Sequence, residues 1–163
     1  MIRPATESDA QAIADIYNHY IEHTVVTFEE QPVGGTEIFT RIKKVTDSSL
    51  PWLAAEEGGA VIGYAYATKW NLRSAYRHTV ECSVYLSPLS LSKGWGTRLY
   101  ETLFQTLRQN SMHVVIGGIT LPNPRSVALH EKMGMKQVAH FKEVGFKFGQ
   151  WLDVGYWQLE WKM

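Results

Sequence analysis

The run Val84-Tyr85-Leu86-Ser87-Pro88-Leu89-Ser90-Leu91-Ser92-Lys93-Gly94-Trp95-Gly96-Thr97 passes from a strand through a loop and a Gly-x-Gly turn into an amphipathic helix. Glycines let a backbone approach a ligand closely. The first N–H groups of a helix are unpaired and lie at its positive end, which suits a pyrophosphate. Lys93 adds a cation at the same place. The same turn can equally be no more than a tight connection. It lacks the Gly-x-x-x-x-Gly-Lys-Ser/Thr spacing, and Leu99 stands where a dinucleotide fingerprint needs its third glycine, so neither nucleotide motif fits.

Glu81 lies on the strand that feeds this turn, between Val80 and Cys82. A carboxylate partly buried there gains a raised pKa and can act as a general base, directly or through water. A strand-end glutamate in a salt bridge is the plainer alternative. His130, on a short helix after Asn123, has an imidazole suited to proton transfer, or is simply a surface histidine. Asn123 alone reads as a loop residue or helix N-cap. The loop Trp70-Asn71-Leu72-Arg73-Ser74-Ala75-Tyr76-Arg77 offers two guanidinium groups and two aromatic rings, able to grip a carboxylate, although each arginine singly could be surface decoration. His19 and His23 have metal-ligand spacing, but Tyr20 replaces the glutamate of His-Glu-x-x-His and no Cys/His cluster supplies more ligands, so no metal is expected. Strand alternation points Cys82 away from the Glu81 face, as a buried thiol rather than a nucleophile.

The elements that must position these groups follow from periodicity. Ile2-Arg3-Pro4-Ala5 opens as a strand, and Thr6 to Asp9 offer caps for a helix with Ile13, Ile16, Tyr17, Tyr20 and Ile21 on one face. Gln31 to Gly35 break the chain, and Thr36 can cap a second helix carrying Ile38, Ile42 and Val45. Trp52–Glu56 and Val61–Ala67 flank Gly58-Gly59 as a hairpin, and Thr79–Leu86 forms another strand. A helix from about Gly96 to Asn110 carries Leu99, Tyr100, Leu103, Phe104 and Leu107. Val114–Ile119 is a buried strand, and Pro124 opens a short helix closed by Gly134. In the tail Gly155, Trp157, Leu159 and Trp161 share a face. The order β-α-α-β-β-β-α-β-α-β-β implies an α/β (α+β) protein with a mixed sheet flanked by helices.

At 163 residues the chain fits one domain, residues 1–163, with no repeat or linker. An apolar share of 45% and sixteen basic against sixteen acidic residues exclude disorder, and zero net charge leaves no electrostatic footprint for nucleic acid or anionic membrane. No apolar run spans a bilayer, and Met1 to Glu7 lacks the apolar core of a signal peptide. Cys82 is the only cysteine, which suits a reducing cytoplasm.

The turn resembles motif A of the Gcn5-related N-acetyltransferase (GNAT) superfamily, Gln/Arg-x-x-Gly-x-Gly/Ala, with Leu91 first and then Gly94 and Gly96; Leu91 departs from the family's Gln or Arg. Asn18–Glu22, Trp70 with Arg73 and Tyr76, Thr79–Glu81, Leu121-Pro122-Asn123, His130-Glu131, Val144–Gly149 and Trp151–Leu159 resemble the phosphinothricin acetyltransferase and methionine-derivative acetyltransferase branch over nearly the whole chain.

The resemblance implies a mostly antiparallel GNAT sheet with strands splayed at an acetyl-CoA site. Leu91, Ser92, Lys93, Gly94, Trp95, Gly96 and Thr97 would hold the pyrophosphate, Val84, Tyr85 and Leu86 the pantetheine, and Asn123 the CoA arm. It implies Glu81 as base and His130 as the acid for the departing thiolate, with Phe28, Trp70, Asn71, Leu72, Arg73, Tyr76 and Arg77 around a small amino-acid acceptor. A homodimer is implied as well, for which the C-terminal aromatics Trp151, Tyr156, Trp157 and Trp161 could serve as interface or equally as core. The rivals are a GNAT enzyme for a different amine and a non-catalytic acyl-CoA-binding sensor.

Overall fold

A computed structural model describes residues 1–162. Seven strands form one sheet: β1 (Ile2–Pro4), β2 (Trp52–Glu57), β3 (Ala60–Lys69), β4 (Thr79–Leu86), β5 (Val114–Leu121), β6 (Lys136–Lys147) and β7 (Gln150–Glu160). Four α-helices join them: α1 (Ala10–His23), α2 (Gly35–Asp47), α3 (Trp95–Gln109) and α4 (Pro124–Lys132). The strand order is β1-β2-β3-β4-β5-β7-β6, and every neighbouring pair is antiparallel except β4 and β5. The mixed sheet and the element order expected from periodicity are both present.

The apolar stripes explain where the helices sit. Ile13, Ile16, Tyr17 and Ile21 on α1 are buried, and α1 and α2 cover one face of β2–β4. That face carries stacked rings: Trp52 on Tyr66 with centroids 4.1 Å apart, and Tyr64 on Tyr85 at 5.4 Å, with Tyr17 edge-on to Tyr85 at 5.2 Å. On the opposite face α3 buries Leu99, Tyr100, Leu103, Phe104 and Leu107, each worth about 1.5–3 kcal/mol of burial. α4 packs beside β5.

Two boundaries differ from expectation. The second helix starts at Gly35 with Gly34 as N-cap, so Thr36 lies inside the first turn and caps nothing. Gly35 allows this because its bare backbone rests on Gln11 of α1, where a Cβ would lie 2.8 Å from the Gln11 side-chain oxygen. Thr6–Asp9 forms a 3-10 turn rather than a simple cap. The buried Asp9 carboxylate accepts from the Thr6 backbone N–H at 2.8 Å and takes both guanidinium arms of Arg3, at 2.7 and 2.9 Å. Arg3 also reaches Glu56 of β2, so this cluster ties the first strand, the start of α1 and β2 together.

Candidate active site

The parallel pairing of β4 and β5 covers only three positions, Thr79–Val114, Val80–Val115 and Glu81–Ile116. Beyond Glu81 the strands part: β4 stays paired to β3 as far as Leu86, while β5 stays paired to β7 as far as Leu121. The splay implied by the resemblance is therefore present. Ser87 N–H donates to the Ile62 carbonyl of β3, so by alternation Val84 and Leu86 direct their backbone groups toward the gap. The Tyr20 hydroxyl on α1 donates to the Leu86 carbonyl and pins the end of β4.

The glycine turn opens beside this gap. Gly94 is the N-cap of α3 with φ +82°, a left-handed conformation that favours glycine, and none of the described side chains caps the helix. Ser92 and Lys93 are exposed, and Leu91 and Thr97 are half-buried. Their backbone is free to meet an anion. Trp95 and Gly96 are buried instead, with the Arg98 guanidinium 4.0 Å above the Trp95 ring. Gly96 serves packing: a Cβ there would lie 3.3 Å from Leu129 and 3.8 Å from Leu86. Across the gap Asn123 caps α4, its Oδ1 accepting from the Ser126 N–H at 3.2 Å. These donors fit the phosphate and amide chemistry of a CoA thioester, and among the described residues no cluster fits a metal ion.

Glu81 sits at the point where the strands part. It is half-buried, and burial raises its carboxyl pKa above the usual range. It makes no ion pair or side-chain hydrogen bond among the described residues, unlike the salt-bridged strand-end glutamate that was its alternative. Strand register puts Thr68 of β3 and Ile116 of β5 beside it. Tyr156 of β7 is close enough that, after burial, the Glu81 charge also raises its phenol. Sequence reasoning placed Tyr156 only as interface or core. Its signal was Gly118, opposite it in register, where a Cβ would lie 3.1 Å from the Tyr156 ring.

Trp70 meets Tyr156 edge-on at 5.7 Å, and its backbone N–H donates to the Thr79 carbonyl, closing the β3–β4 connection two residues from Glu81. Asn71, Leu72, Arg73, Tyr76 and Arg77 are exposed on that connection. The Asn71 Oδ1 accepts from the Arg73 N–H, and the Arg77 guanidinium is turned inward to the Ser74 carbonyl at 3.1 Å. Arg73 has no ion-pair partner among the described residues. Phe28 projects from the α1–α2 connection, and Tyr66, half-buried, feels the charges of Arg41, Glu29 and Glu81 together. A cavity of about 360 Å³ under α2 shares Tyr66 and Thr68 with the surroundings of Glu81.

His130 lies on the other face of the sheet and is only 4% exposed, not a surface histidine. Its Nδ1 is 2.7 Å from the Ser126 carbonyl and its Nε2 is 3.2 Å from the Tyr100 hydroxyl. The carbonyl only accepts, so Nδ1 carries the proton and Nε2 accepts from Tyr100. Burial lowers its pKa, keeping the ring neutral. Gly117 of β5 makes room, since a Cβ there would lie 2.7 Å from the imidazole.

A family model for the acetyltransferase (GNAT) domain matches residues 2–155. The chain is 40% identical over 162 residues to the phosphinothricin N-acetyltransferase of Streptomyces viridochromogenes, covering 99% of this chain and 88% of that protein. It is 36% identical to the L-methionine sulfoximine/L-methionine sulfone acetyltransferase of Salmonella typhimurium, covering 98% and 93%. The solved structure of an acetyltransferase from Salmonella typhimurium with its cofactor acetyl-CoA superposes with a TM-score of 0.97 at 35% identity, over 100% of this chain and 94% of that one. Likeness in sequence and in structure therefore runs the full length of the chain, and the chain belongs to the GNAT acetyltransferase family.

Proposed function

We propose that residues 1–163 form one catalytic domain that moves an acetyl group from acetyl-CoA to the α-amino group of a small amino acid of the phosphinothricin, methionine sulfoximine or methionine sulfone type. The observation that carries this is Glu81: a half-buried, unpaired carboxylate with a raised pKa, at the point where β4 and β5 separate. Acetyl-CoA supplies an activated acyl group as a thioester. The chain's own residues bind it and manage the proton. The uncapped N–H groups after Gly94, with Leu91, Ser92, Lys93 and Thr97 around them, take the pyrophosphate, and Asn123 and the Val84–Leu86 edge, where the Leu86 carbonyl is already bonded by Tyr20, take the arm. Leu91 contributes backbone only, which leaves the amides to do the binding.

Glu81 removes a proton from the incoming ammonium, and its raised pKa matches it to that task. Arg73, unpaired on the exposed connection, holds the acceptor carboxylate, while Trp70, Tyr76 and Phe28 line its path. His130 takes a positioning role in place of the acid role implied by the resemblance. Its one proton is committed to the Ser126 carbonyl, and its second nitrogen is occupied by Tyr100.

A second copy of the chain completes the assembly. Of the four C-terminal aromatics weighed for an interface, Trp157 is core at 2% exposed, Tyr156 and Trp161 are half-buried, and only Trp151 is open, at 66%. Trp151 packs with Phe146 at 4.7 Å, and Val144 and Phe148 of the same hairpin are exposed as well, which supports an apolar homodimer surface. Use of acetyl-CoA, an intracellular metabolite, makes the cytoplasm the place of action.

The test is thiol release from acetyl-CoA against phosphinothricin, methionine sulfoximine, methionine sulfone, ordinary amino acids, spermidine and an aminoglycoside. Turnover confined to the methionine-like compounds is the expected result. Turnover on the polyamine or aminoglycoside alone would overturn the acceptor class. Bound CoA without turnover on any amine would make the protein a sensor.

A further inference from the structure

The segment Gly145-Phe146-Lys147 near the end of β6 has no part in the chemistry above, yet it meets the connection that carries Phe28. Residues 145 and 147 alternate onto one face and are buried, while Phe146 points outward; Phe148, just past the strand, is exposed with its ring 5.1 Å from the Lys147 ammonium. Lys147 is 1% exposed, and its ammonium donates to the Thr27 carbonyl at 2.8 Å, bridging 120 residues of sequence. Burial lowers its pKa, against the opposing fields of Glu30 and Glu29. Burying an ammonium is costly, and a lysine that served only to fill space would be replaced by an apolar side chain at no loss.

Gly145 supplies the second half of the grip. A Cβ built on it would clash with the Phe28 Cζ, so the ring rests directly on the glycine backbone. The flanking residues are also held. The Thr27 hydroxyl is 2.7 Å from the Tyr17 hydroxyl, and Tyr17 donates to Glu29, which is gripped by both arms of Arg41 at 2.7 and 2.8 Å. Despite this, Phe28 keeps 40% of its surface exposed. One side of the ring is fixed and the other is offered.

We infer that Gly145 and Lys147 are positioning residues that clasp Thr27 and Phe28 against β6 and so set the acceptor-side wall of the site. The kinetic half of this inference rests on the function proposed above; the clasp itself does not. It is a sequence-distant contact, with the two halves on opposite ends of the chain, and it acts on the acceptor rather than on acetyl-CoA.

The experiment compares Gly145→Ala and Lys147→Met with the same changes in a Phe28→Ala background, where the vacated ring leaves room for the new methyl. In the parent background both variants raise the acceptor KM about tenfold, with kcat and the acetyl-CoA KM within about twofold. In the Phe28→Ala background Gly145→Ala has no further effect. Equal effects of Gly145→Ala in both backgrounds, or a shift in acetyl-CoA KM as large as that for acceptor, would overturn the inference. Amide hydrogen exchange reads the clasp without turnover. Lys147→Met should speed exchange at Thr27 to Glu29 about tenfold and leave α3 unchanged. If the parent enzyme acetylates no amine, the proposed function fails, and unchanged exchange at Thr27 to Glu29 would separately sink the clasp.

Discussion

The Tyr100 hydroxyl donates to Nε2 of His130 across 3.2 Å, on the face of the sheet opposite Glu81. The two residues singled out for proton chemistry thus flank the parting of β4 and β5 from opposite sides, in opposite electrostatic states. Glu81 is a carboxyl with an unspent charge, and His130 is a neutral ring with both nitrogens engaged.

His130→Gln should therefore lower stability by about 1–3 kcal/mol, because Tyr100 and the Ser126 carbonyl lose a shaped partner. Turnover of the folded variant should fall by less than about tenfold. The pH dependence follows from the sign of the shift. The folded-state pKa lies below the unfolded value of about 6.5, so the stability that His130 contributes is complete above that value and is lost as pH falls toward the folded one. Urea unfolding at a series of pH values should show this decline in the parent and a shallower one in the variant.

Glu81→Gln should reduce kcat about 10²- to 10⁴-fold and leave acetyl-CoA affinity within about twofold. The parent rate should rise with pH through an inflection above the ordinary carboxylate range, because burial raises the pKa and only the ionised form accepts a proton. Rate–pH profiles of the pair, with the inflection missing from the variant, are the check.

Gly94→Ala tests the turn. Open space surrounds the site of the added methyl, so the cost is conformational: φ is +82° and an L-residue there loses about 1–2 kcal/mol. If the strain is relieved by moving the loop, acetyl-CoA binding should weaken about 5- to 30-fold while acceptor KM holds. Isothermal titration with CoA distinguishes this from simple destabilisation.

A Phe146→Glu, Trp151→Glu pair tests the assembly. Both rings are exposed and pack at a tilt, so two charges there should turn the proposed dimer into a monomer with little effect on monomer stability. Sedimentation velocity gives the answer directly.

The fold was legible wherever one face of an element is buried. The stripe Leu99, Tyr100, Leu103, Phe104, Leu107 marks α3 because each of these side chains packs on the sheet. The helix start at Gly35 was not legible, since it depends on contact with Gln11, far away in sequence. The site divides in the same way. Glu81 and the glycine turn lie within one strand–turn–helix segment, so their relation is local. Tyr156 becomes a neighbour of Glu81 only through the β5–β7 register, and Lys147 reaches Thr27 only after β6 folds back along β7. The environment of His130 is set by Tyr100 on α3 and Gly117 on β5, neither adjacent in sequence.

The three-pair seam between β4 and β5 also has a thermodynamic side. It joins a four-stranded plate, β1 to β4, to a three-stranded one, β5 to β7, like a zip left open over most of its length. A molecule whose amides pair with the open edge extends the ladder where the protein's own strand leaves off. Such a ligand behaves as a removable piece of the sheet, so occupancy and folding become one equilibrium. The melting temperature should climb with acetyl-CoA concentration, and the unfolding free energy should gain about 2.7 kcal/mol at a free concentration of about 100 Kd.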